Sequence, residues 1–401
     1  MLISRSLYPE YTLNLRSSPI SLIEPAPVTS LWYFLHKVPD YRRSQGKRHN
    51  LPTVLILSIL AICSGATSYQ AIAEWPRNYQ GQLREVVPFL ANHLPDQSTF
   101  HRVFANLDVE AFEEVLGSWF QTITHLEKGE GIAIDGKTTA RDKLHLVAAF
   151  AHQAKTVLFQ KGTDTKGKEL VAAPQVLENV YVKDRIITSD ALHAQRDFCG
   201  TIVKSGGGYV IVVKGNQEKL QEDVTLFFDS LPESLPFKAK LESFQTLEKS
   251  KGRVEERTVW ISEDQSLVNY LSWPGLTHVF KCQRKITQKD GRATKDTVYG
   301  IASLLQVYSS AQNVSQYLRG HWSIENNLHR VRDVSFNEDK STIRTRGAPE
   351  VMAALKNLVI NIFQRGQVKS YPQAFRRFSA HPEELFVFLG LNQVNQRVIY
   401  A

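Results

Sequence analysis

Residues 131–136 read GIAIDG, and the hydrophobic periodicity of the chain changes at this segment. From Leu31 to about Lys128, apolar residues recur at i, i+3 and i+4, which predicts an all-helical N-terminal domain. GIAIDG itself is a short apolar run that ends in Asp-Gly, a pattern typical of a buried strand followed by a turn. We therefore expect a sheet to begin at Gly131.

Strands and helices alternate after this segment. Further strand-like runs are LHLVAAFAH, TVLFQKGT, RIITSDA and GYVIVVKGN, and helical segments separate the later ones. This alternation predicts an α/β layer with central parallel strands. A β-rich stretch with a turn at 289–292 follows, and helices resume at Ala311. The predicted divisions are an extension or linker (1–30), a helical N-terminal domain that is a candidate for DNA binding (31–128), the first part of the α/β layer (129–237), the β-rich stretch (238–305) and a helical C-terminal part (306–401).

The composition is that of an ordinary globular protein with a basic balance. Apolar residues make up 42% of the chain, and 48 Lys and Arg residues against 40 Asp and Glu residues give a net charge of +8. This excess favours a polyanionic partner such as nucleic acid, although charge alone governs non-specific binding rather than fold.

The cysteine and hydropathy patterns limit the cellular compartments in which the protein is expected. Three cysteines without CxxC spacing indicate neither a disulfide framework nor a thiolate zinc site, so we expect a reducing compartment. The most apolar run, LPTVLILSILA at 51–61, is shorter than the ~20 residues of a membrane span and predicts a buried helix. The N-terminal segment lacks a signal-peptide pattern. We therefore expect no membrane partner.

Two aspartates close strand-like runs. Asp135 ends IAID, and Asp190 ends IITSD. In open α/β sheets the functional crevice lies beyond the carboxyl ends of the strands, where two carboxylates can share a divalent cation such as Mg²⁺. Each aspartate taken singly also fits a turn or a helix cap. Taken together, the two interpretations remain equally open.

A third polar segment is HWSIENNLHRVRDV, residues 321–334. As a helix it would place His321, Glu325 and His329 on one face at i, i+4 and i+8. Zinc-binding helices pair histidines at i and i+4, so a zinc site does not match this spacing. The alternative is an amphipathic helix anchored by Trp322, with Ile324, Leu328 and Val331 facing the core.

Several separated blocks resemble the DDE-type transposases of bacterial insertion sequences, and in particular their H-repeat-associated subgroup. The blocks are GIAIDGK (131–137), ITSDALHAQ (187–195), YVIVVKGNQ (209–217) and RGHWSIENNLHRVRDVSFNEDKSTIRT (319–345). The segment 38–75 and the STFHR segment at 98–102 are similar to the helical domain that precedes the catalytic domain in that subgroup. The match runs from about Leu31 to Gln364 with its blocks in order, which makes it more specific than any single motif.

The resemblance implies an RNase H-like catalytic core with a β-rich insertion, preceded by the all-helical N-terminal domain. It assigns the catalytic and metal-binding roles to Asp135, Asp190 and Glu325, with Mg²⁺ as cofactor and Mn²⁺ as a substitute. Choosing Glu325 over Asp333 or Glu338 depends mainly on the resemblance. It implies a two-metal reaction in which water cleaves at the transposon end and the freed 3′-OH attacks target DNA in line.

The resemblance also implies a homodimer on double-stranded DNA in the bacterial cytoplasm, associated with the nucleoid. Salt-dependent phosphate contacts are then expected from basic side chains, although a solvated charge is an equal alternative for each. For Trp322, base stacking competes with a role as buried anchor. Two other functions stay open, a domesticated DNA-binding protein and an RNase H-like nuclease that cuts without joining. The expected DNA-contacting residues are Lys137, Lys214, Arg319, His321, Trp322, Arg330, Arg332 and Arg344.

Overall fold

The computed structural model describes residues 28–87, 90–139, 144–163, 168–230, 241–250 and 252–391. Most of the predicted extension or linker, 1–30, lies outside these residues, as does the end of the predicted C-terminal part. None of the described helices combines the length and the apolar character that a membrane span requires.

The described residues before the sheet form helices, as the periodicity predicts. The buried helix predicted at LPTVLILSILA is confirmed as Leu51–Cys63, in which every residue is buried. Asn50 begins it, because its side chain accepts a hydrogen bond of 2.8 Å from the Thr53 amide. The helices are α1 (Val28–Leu35), α2 (Leu51–Cys63), α3 (Tyr69–Asn78), α4 (Gln80–Val86), α5 (Gln97–Asn106) and α6 (Val109–Ile123).

The described strands form a single nine-stranded sheet in the order β3-β2-β1-β4-β5-β9-β8-β7-β6. Strand β1 pairs with β2 in antiparallel and with β4 in parallel orientation, and β4 pairs with β5 in parallel orientation. The predicted α/β layer with central parallel strands is therefore confirmed. The strands are β1 (Gly131–Thr138), β2 (His145–Ala151), β3 (Val157–Thr163), β4 (Ile186–Ser189), β5 (Gly208–Val213), β6 (Leu241–Ser250), β7 (Arg253–Ser262), β8 (His278–Thr287) and β9 (Ala293–Ser303).

Helices cover both faces of the sheet, which is why its central strands read as nearly continuous apolar runs. The short helix α10 within the β-rich stretch is not predicted from the sequence. It begins at Asp264, whose side chain accepts a hydrogen bond of 2.9 Å from the Leu267 amide. The remaining helices are α7 (Glu169–Glu178), α8 (Arg196–Lys204), α9 (Glu218–Ser230), α10 (Gln265–Leu271), α11 (Ala311–Ile324), α12 (Arg330–Val334), α13 (Ala348–Arg365), α14 (Tyr371–Ala380) and α15 (Pro382–Phe388).

The side chains of β1 alternate between two hydrophobic cores. Ile132 and Ile134 belong to the core formed with α7 and α8, whereas Ala133 belongs to the core formed with the N-terminal helices and α13. Because successive strand residues point to opposite faces, Asp135 points to the same face as Ala133. This alternation directs the first candidate carboxylate to the face that carries α11.

The N-terminal helices share their core with the end of the chain. One cluster joins Leu55 of α2 and Phe104 of α5 to Leu355 and Phe363 of α13. Helix α13 is buried over most of its length, so it forms the centre of this helical layer. The helices predicted for 31–128 are thus present, but they do not enclose a core of their own.

The β-rich stretch continues the sheet. Strand β9 pairs with β5 in antiparallel orientation, and β8, β7 and β6 follow in turn. Val259 and Phe280 of these strands pack in one cluster with Val314 and Tyr317 of α11. We call β6–β9 the strand extension, because its hydrogen bonds run unbroken into the central strands.

A glycine on β9 tests how tightly the strand extension joins the central strands. A Cβ at Gly300 would clash with the Ile211 carbonyl oxygen of β5 and with the Phe280 ring. We expect Gly300→Ala to lower the free energy of unfolding by about 1–3 kcal/mol, because a backbone atom cannot give way as a side chain can. Urea unfolding measures the change.

The matched control is Gly81 of α4, where a Cβ would meet no atom within 4 Å. Gly81→Ala is expected to leave stability unchanged or to raise it by up to ~1 kcal/mol, because alanine favours the helix. An unaltered unfolding midpoint for Gly300→Ala would contradict the close approach of the strands.

Candidate active site

The structure brings the three predicted carboxylates into one cleft. In the parallel pairing of β1 with β4, Ile134 is opposite Ser189, so Asp135 and Asp190 follow at the same edge of the sheet. Glu325 follows the last residue of α11 and lines the same cleft, whose volume is about 620 Å³. The carboxylates therefore meet although they lie far apart in the sequence.

The spacing of 321–334 predicts one continuous α-helix. In the structure, the helix that carries Glu325 is interrupted. A π turn, Glu325–His329, separates α11 from α12, and the Arg330 amide donates to the Glu325 carbonyl. Single π turns inside α-helices occur often at functional sites, because the extra residue redirects the side chains around it. Here Glu325 is left exposed, while His329 is buried.

His329 joins the carboxylates. Its Nδ1 lies 3.1 Å from Glu325 Oε2 and 3.7 Å from Asp135 Oδ2. One potential ligand atom of Asp135, of Glu325 and of His329 all lie within 4.8 Å of one another. Carboxylate oxygens suit hard divalent cations, so the two carboxylates of this group fit Mg²⁺ or Mn²⁺.

Sequence reasoning missed His329 as a member of this group. The available signal is the i, i+4 spacing of Glu325 and His329, which places the two side chains on one helical face. Asp190 lines the cleft outside the tight group.

The carboxyl groups of the cleft have different pKa shifts. Burial raises the pKa of Asp135, with a smaller contribution from the Asp190 carboxylate, while His329 opposes the shift. The hydrogen bond from His329 lowers the pKa of Glu325. Because a buried carboxylate beside others is costly to ionise, a bound cation would favour the ionised form of Asp135.

Asp190 caps the turn that follows β4, as its sequence context predicts, and it also lines the cleft. Its Oδ1 accepts hydrogen bonds from the Leu192 amide at 3.1 Å and from Nδ1 of the buried His193 at 3.0 Å. Burial acts to raise the pKa of Asp190, but the hydrogen bond and charge of His193 outweigh it and lower the pKa. The helix-cap contact therefore fixes the carboxylate at the edge of the cleft.

His321 and Trp322 differ from their expected roles. His321 Nδ1 lies 3.2 Å from Thr188 Oγ1, and burial lowers the pKa of His321 to about 4. His321 is therefore neutral at pH 7 and brings no charge to a phosphate. Trp322 is 60% exposed and lines the cleft, so its interpretation as a buried anchor is wrong.

The predicted cations differ in their exposure to solvent. Lys214, Arg330 and Arg344 are exposed, and Lys214 lines the cleft. Arg319 is exposed, and its guanidinium donates to both carboxylate oxygens of Glu248 on β6.

Lys137 is held inside the protein. Its ammonium donates to Oδ1 and Oδ2 of Asp333 at 2.6 and 2.7 Å, and the residue is 9% exposed. This ion pair joins β1 to α12. A direct phosphate contact by Lys137 is thus not available in this conformation.

The expectation of a phosphate contact is wrong for Arg332, whose residue is 1% exposed. Its Nε donates to Glu338 Oε2 at 2.7 Å, and Lys356 Nζ donates to Glu338 Oε1 at 3.1 Å. Gln160 Oε1 accepts from Arg332 Nη1 and from Asn357 Nδ2. Burial opposes the ionisation of Glu338, but the two cations outweigh it and lower its pKa to about 2.

The pairings distinguish the three candidates for the third carboxylate. Asp333 binds Lys137, and Glu338 is buried with Arg332 and Lys356. Of the three, Glu325 is the one that forms a group of ligand atoms with Asp135. The geometry therefore groups Glu325, rather than Asp333 or Glu338, with Asp135.

Comparison with known protein families identifies the class of protein. Residues 121–362 match the family described as "Transposase DDE domain", and residues 32–120 match the family described as "DDE_Tnp_1-associated". The chain therefore belongs to the DDE transposase family, and the resemblance noted in the separated sequence blocks is confirmed.

Individual relatives agree with this assignment. The chain is 30% identical over 350 residues to "Putative transposase YncI" of Escherichia coli O157:H7, covering 84% of this chain and 88% of that protein. It is 30% identical over 343 residues to "H repeat-associated putative transposase YhhI" of Escherichia coli K12, covering 82% and 89%. Among solved structures, the piggyBac transposase synaptic complex with hairpin DNA aligns with a TM-score of 0.40 and 10% identity, covering 91% of this chain and 78% of that one.

The buried ion pairs of Glu338 with Arg332 and Lys356 are expected to stabilise the fold. We expect Glu338→Ala to cost about 3–5 kcal/mol at pH 7, because Arg332 and Lys356 would remain buried without their counter-charge. The folded-state pKa of Glu338 is about 2, below its ordinary value of 4.5. The ionised Glu338 carboxylate therefore contributes its full stabilisation of the folded state above pH 4.5, and this stabilisation is lost as the pH falls towards 2. The difference in unfolding free energy between wild type and variant should shrink accordingly in acid.

Denaturant unfolding between pH 7 and pH 3 measures this dependence. Glu110→Ala is the matched control, because Glu110 pairs with Lys161 at the surface and its side chain is 65% exposed. It should cost less than ~1 kcal/mol. Equal costs for the two variants would show that the buried cluster does not support the fold.

Proposed function

We propose that this protein is a DNA transposase that cleaves DNA at the ends of an insertion sequence and joins the freed 3′-OH to target DNA. The observation that carries the proposal is the meeting of Asp135, Asp190 and Glu325 in one cleft at the carboxyl edge of the parallel strands. Membership of the DDE transposase family supports it. The catalytic roles of the three carboxylates belong to the proposal.

The strand order supports an RNase H-like core as part of this proposal. Strands β1–β3 form an antiparallel unit, and β4 and β5 add to β1 in parallel orientation, which gives the order β3-β2-β1-β4-β5. The β-rich part, at 241–303 within the described residues, follows this core and precedes the helix of Glu325. The predicted boundaries at 128 and 305 are retained on this basis, and the predicted boundary at 237 lies outside the described residues.

The cations of the proposed reaction would be held by the Asp135 and Glu325 carboxylates, with Asp190 beside them and His329 supporting Glu325. Bound there, Mg²⁺ or Mn²⁺ would activate the attacking hydroxyl and stabilise the leaving oxygen of the phosphodiester. His329 orients the Glu325 carboxylate through the 3.1 Å contact to Oε2. His193 holds the Asp190 carboxylate towards the cleft in the same way.

The proposed partner is double-stranded DNA, bound by two copies of the chain because two transposon ends must be joined. Exposed Lys214, Arg330 and Arg344 are candidates for phosphate contacts, and binding would weaken with salt. Exposed Trp322 offers a ring on which an unpaired base near the cut could stack. A location at the bacterial nucleoid follows from this function and remains a prediction.

The first prediction for this function concerns Glu325. We expect Glu325→Gln to abolish Mg²⁺-dependent cleavage while DNA binding and folding are retained, because the side chain is exposed and only its charge is removed. A strand-transfer assay with a DNA end labelled at its 3′-OH measures cleavage and joining. Glu222→Gln, an exposed residue of α9, is the matched control and should be fully active.

The products of the wild-type protein separate the three functions. Joined product supports the transposase, nicked product without joining indicates a hydrolytic nuclease, and binding without cleavage indicates a domesticated DNA-binding protein. Substantial cleavage by Glu325→Gln would reject Glu325 as a catalytic residue.

The second prediction concerns cation binding without DNA. We expect His329→Gln to weaken Mn²⁺ binding by about 10- to 100-fold, as the loss of a ligand or its hydrogen-bonded support does in metalloproteins. Electron paramagnetic resonance titration of Mn²⁺ measures the affinity directly. His93→Gln replaces an exposed histidine outside the cleft and should bind as the wild type does. Unchanged binding by His329→Gln would remove His329 from the site.

A further inference from the structure

Two arginines of the strand extension line the same cleft as the catalytic carboxylates. They are Arg257 of β7 and Arg284 of β8, which are direct cross-strand partners. Neither is among the DNA contacts expected from the sequence, because the register of distant strands cannot be read from a single chain. Their side chains are 14% and 32% exposed, so the guanidinium groups are partly open to the cleft.

The strand extension overhangs the catalytic edge of the sheet at this point. Val213, the last residue of β5, is opposite Tyr299, which in turn is opposite Lys281. Arg284 therefore lies three residues further along β8, roughly 10 Å beyond the end of β5. Asp135 and Asp190 lie at the same edge of the central strands, so the overhang forms a wall of their cleft.

A shared carboxylate orients both arginines. Arg257 Nη2 donates to Glu255 Oε1 at 2.8 Å, and Arg284 Nη2 donates to Glu255 Oε2 at 2.8 Å. Like charges on opposite strand positions repel, and one carboxylate between two guanidinium groups offsets that repulsion. Asp296, the register partner of Arg284, is a second carboxylate nearby.

Each guanidinium has more N–H donors than it uses in its hydrogen bond to Glu255. A guanidinium has five N–H donors in a planar fork, which matches the geometry of a phosphate. Nε of Arg284 is buried and, within the described part of the chain, has no hydrogen-bond partner. A buried donor without a partner is costly, so the side chains around Arg284 do not satisfy its guanidinium completely.

We propose that Arg257 and Arg284 together bind backbone phosphate of the DNA that occupies the catalytic cleft. The inference rests on the proposed function, since that function brings DNA to this cleft. The strand extension then acts as a second DNA-binding wall, and Glu255 positions the two guanidinium groups before DNA arrives. Pre-oriented forks bind phosphate with less loss of side-chain entropy than free surface arginines.

The test is the salt dependence of DNA binding. Fluorescence anisotropy with a labelled DNA duplex of arbitrary sequence gives the association constant over a range of salt concentrations. Each lost phosphate contact makes the slope of log K against log salt shallower by ~0.9, so Arg257→Gln/Arg284→Gln should lose about 1.8. Arg257→Lys/Arg284→Lys retains both charges and should restore most of the slope.

Arg292→Gln is the matched control. Arg292 lies in the turn between β8 and β9, pairs with Asp290 as the cleft arginines pair with Glu255, and is 85% exposed at the side chain. Like Arg284→Gln, this variant removes one positive charge from the strand extension, and it should change the slope by less than half of the ~0.9 expected for Arg284→Gln. An equal change would assign the effect to general charge and overturn the proposal.

A single-residue variant controls for misfolding of the double variant. Arg284→Gln alone alters the more exposed arginine and should lose about 0.9 of slope with an unchanged melting temperature. A wild-type slope for this variant and for the double variant would overturn the phosphate assignment. That result leaves the Glu325→Gln cleavage test untouched, so failure of this inference is distinct from failure of the proposed function.

Discussion

A buried carboxylate determines where the site helix lies. Glu338 is bound by Arg332 of α12 and by Lys356 of α13, and removal of the carboxylate would leave two cations in the protein interior. Helix α12 is thereby fixed to α13, the central helix of the helical layer. Because the π turn directly precedes α12, the same contact determines where Glu325 and His329 meet the sheet.

The charges of this region therefore have two different functions. Lys137 and Arg332 hold the site helix against the rest of the protein, one through β1 and one through α13. Charges that remain open to the cleft come from elsewhere, from Lys214 after β5 and from the strand extension. A net positive charge thus says little about which cations contact DNA, since burial and pairing decide the role of each one.

Much of the fold was predictable because it depends on local patterns. The apolar runs that end in Asp135 and Asp190 predict buried strands with carboxylates at one edge, and the structure confirms this arrangement. The choice of Glu325 as a site residue depended on the family resemblance, because Asp333 lies on the same helical segment. The π turn, the role of His329 and the burial of Arg332 depend on packing between segments that are distant in sequence. No spacing rule within a single helix contains that information.

The continuity of the nine-stranded sheet has a mechanical consequence. A domain joined by a flexible linker can rotate to meet its ligand, whereas β9 is joined to β5 by a ladder of backbone hydrogen bonds. The separation between the carboxylate edge and the overhanging arginines is therefore a fixed property of the sheet. DNA bound at both places, as proposed above, would have to conform to that separation. The stiffness of each DNA sequence then enters its binding energy, even at base pairs that the protein does not contact.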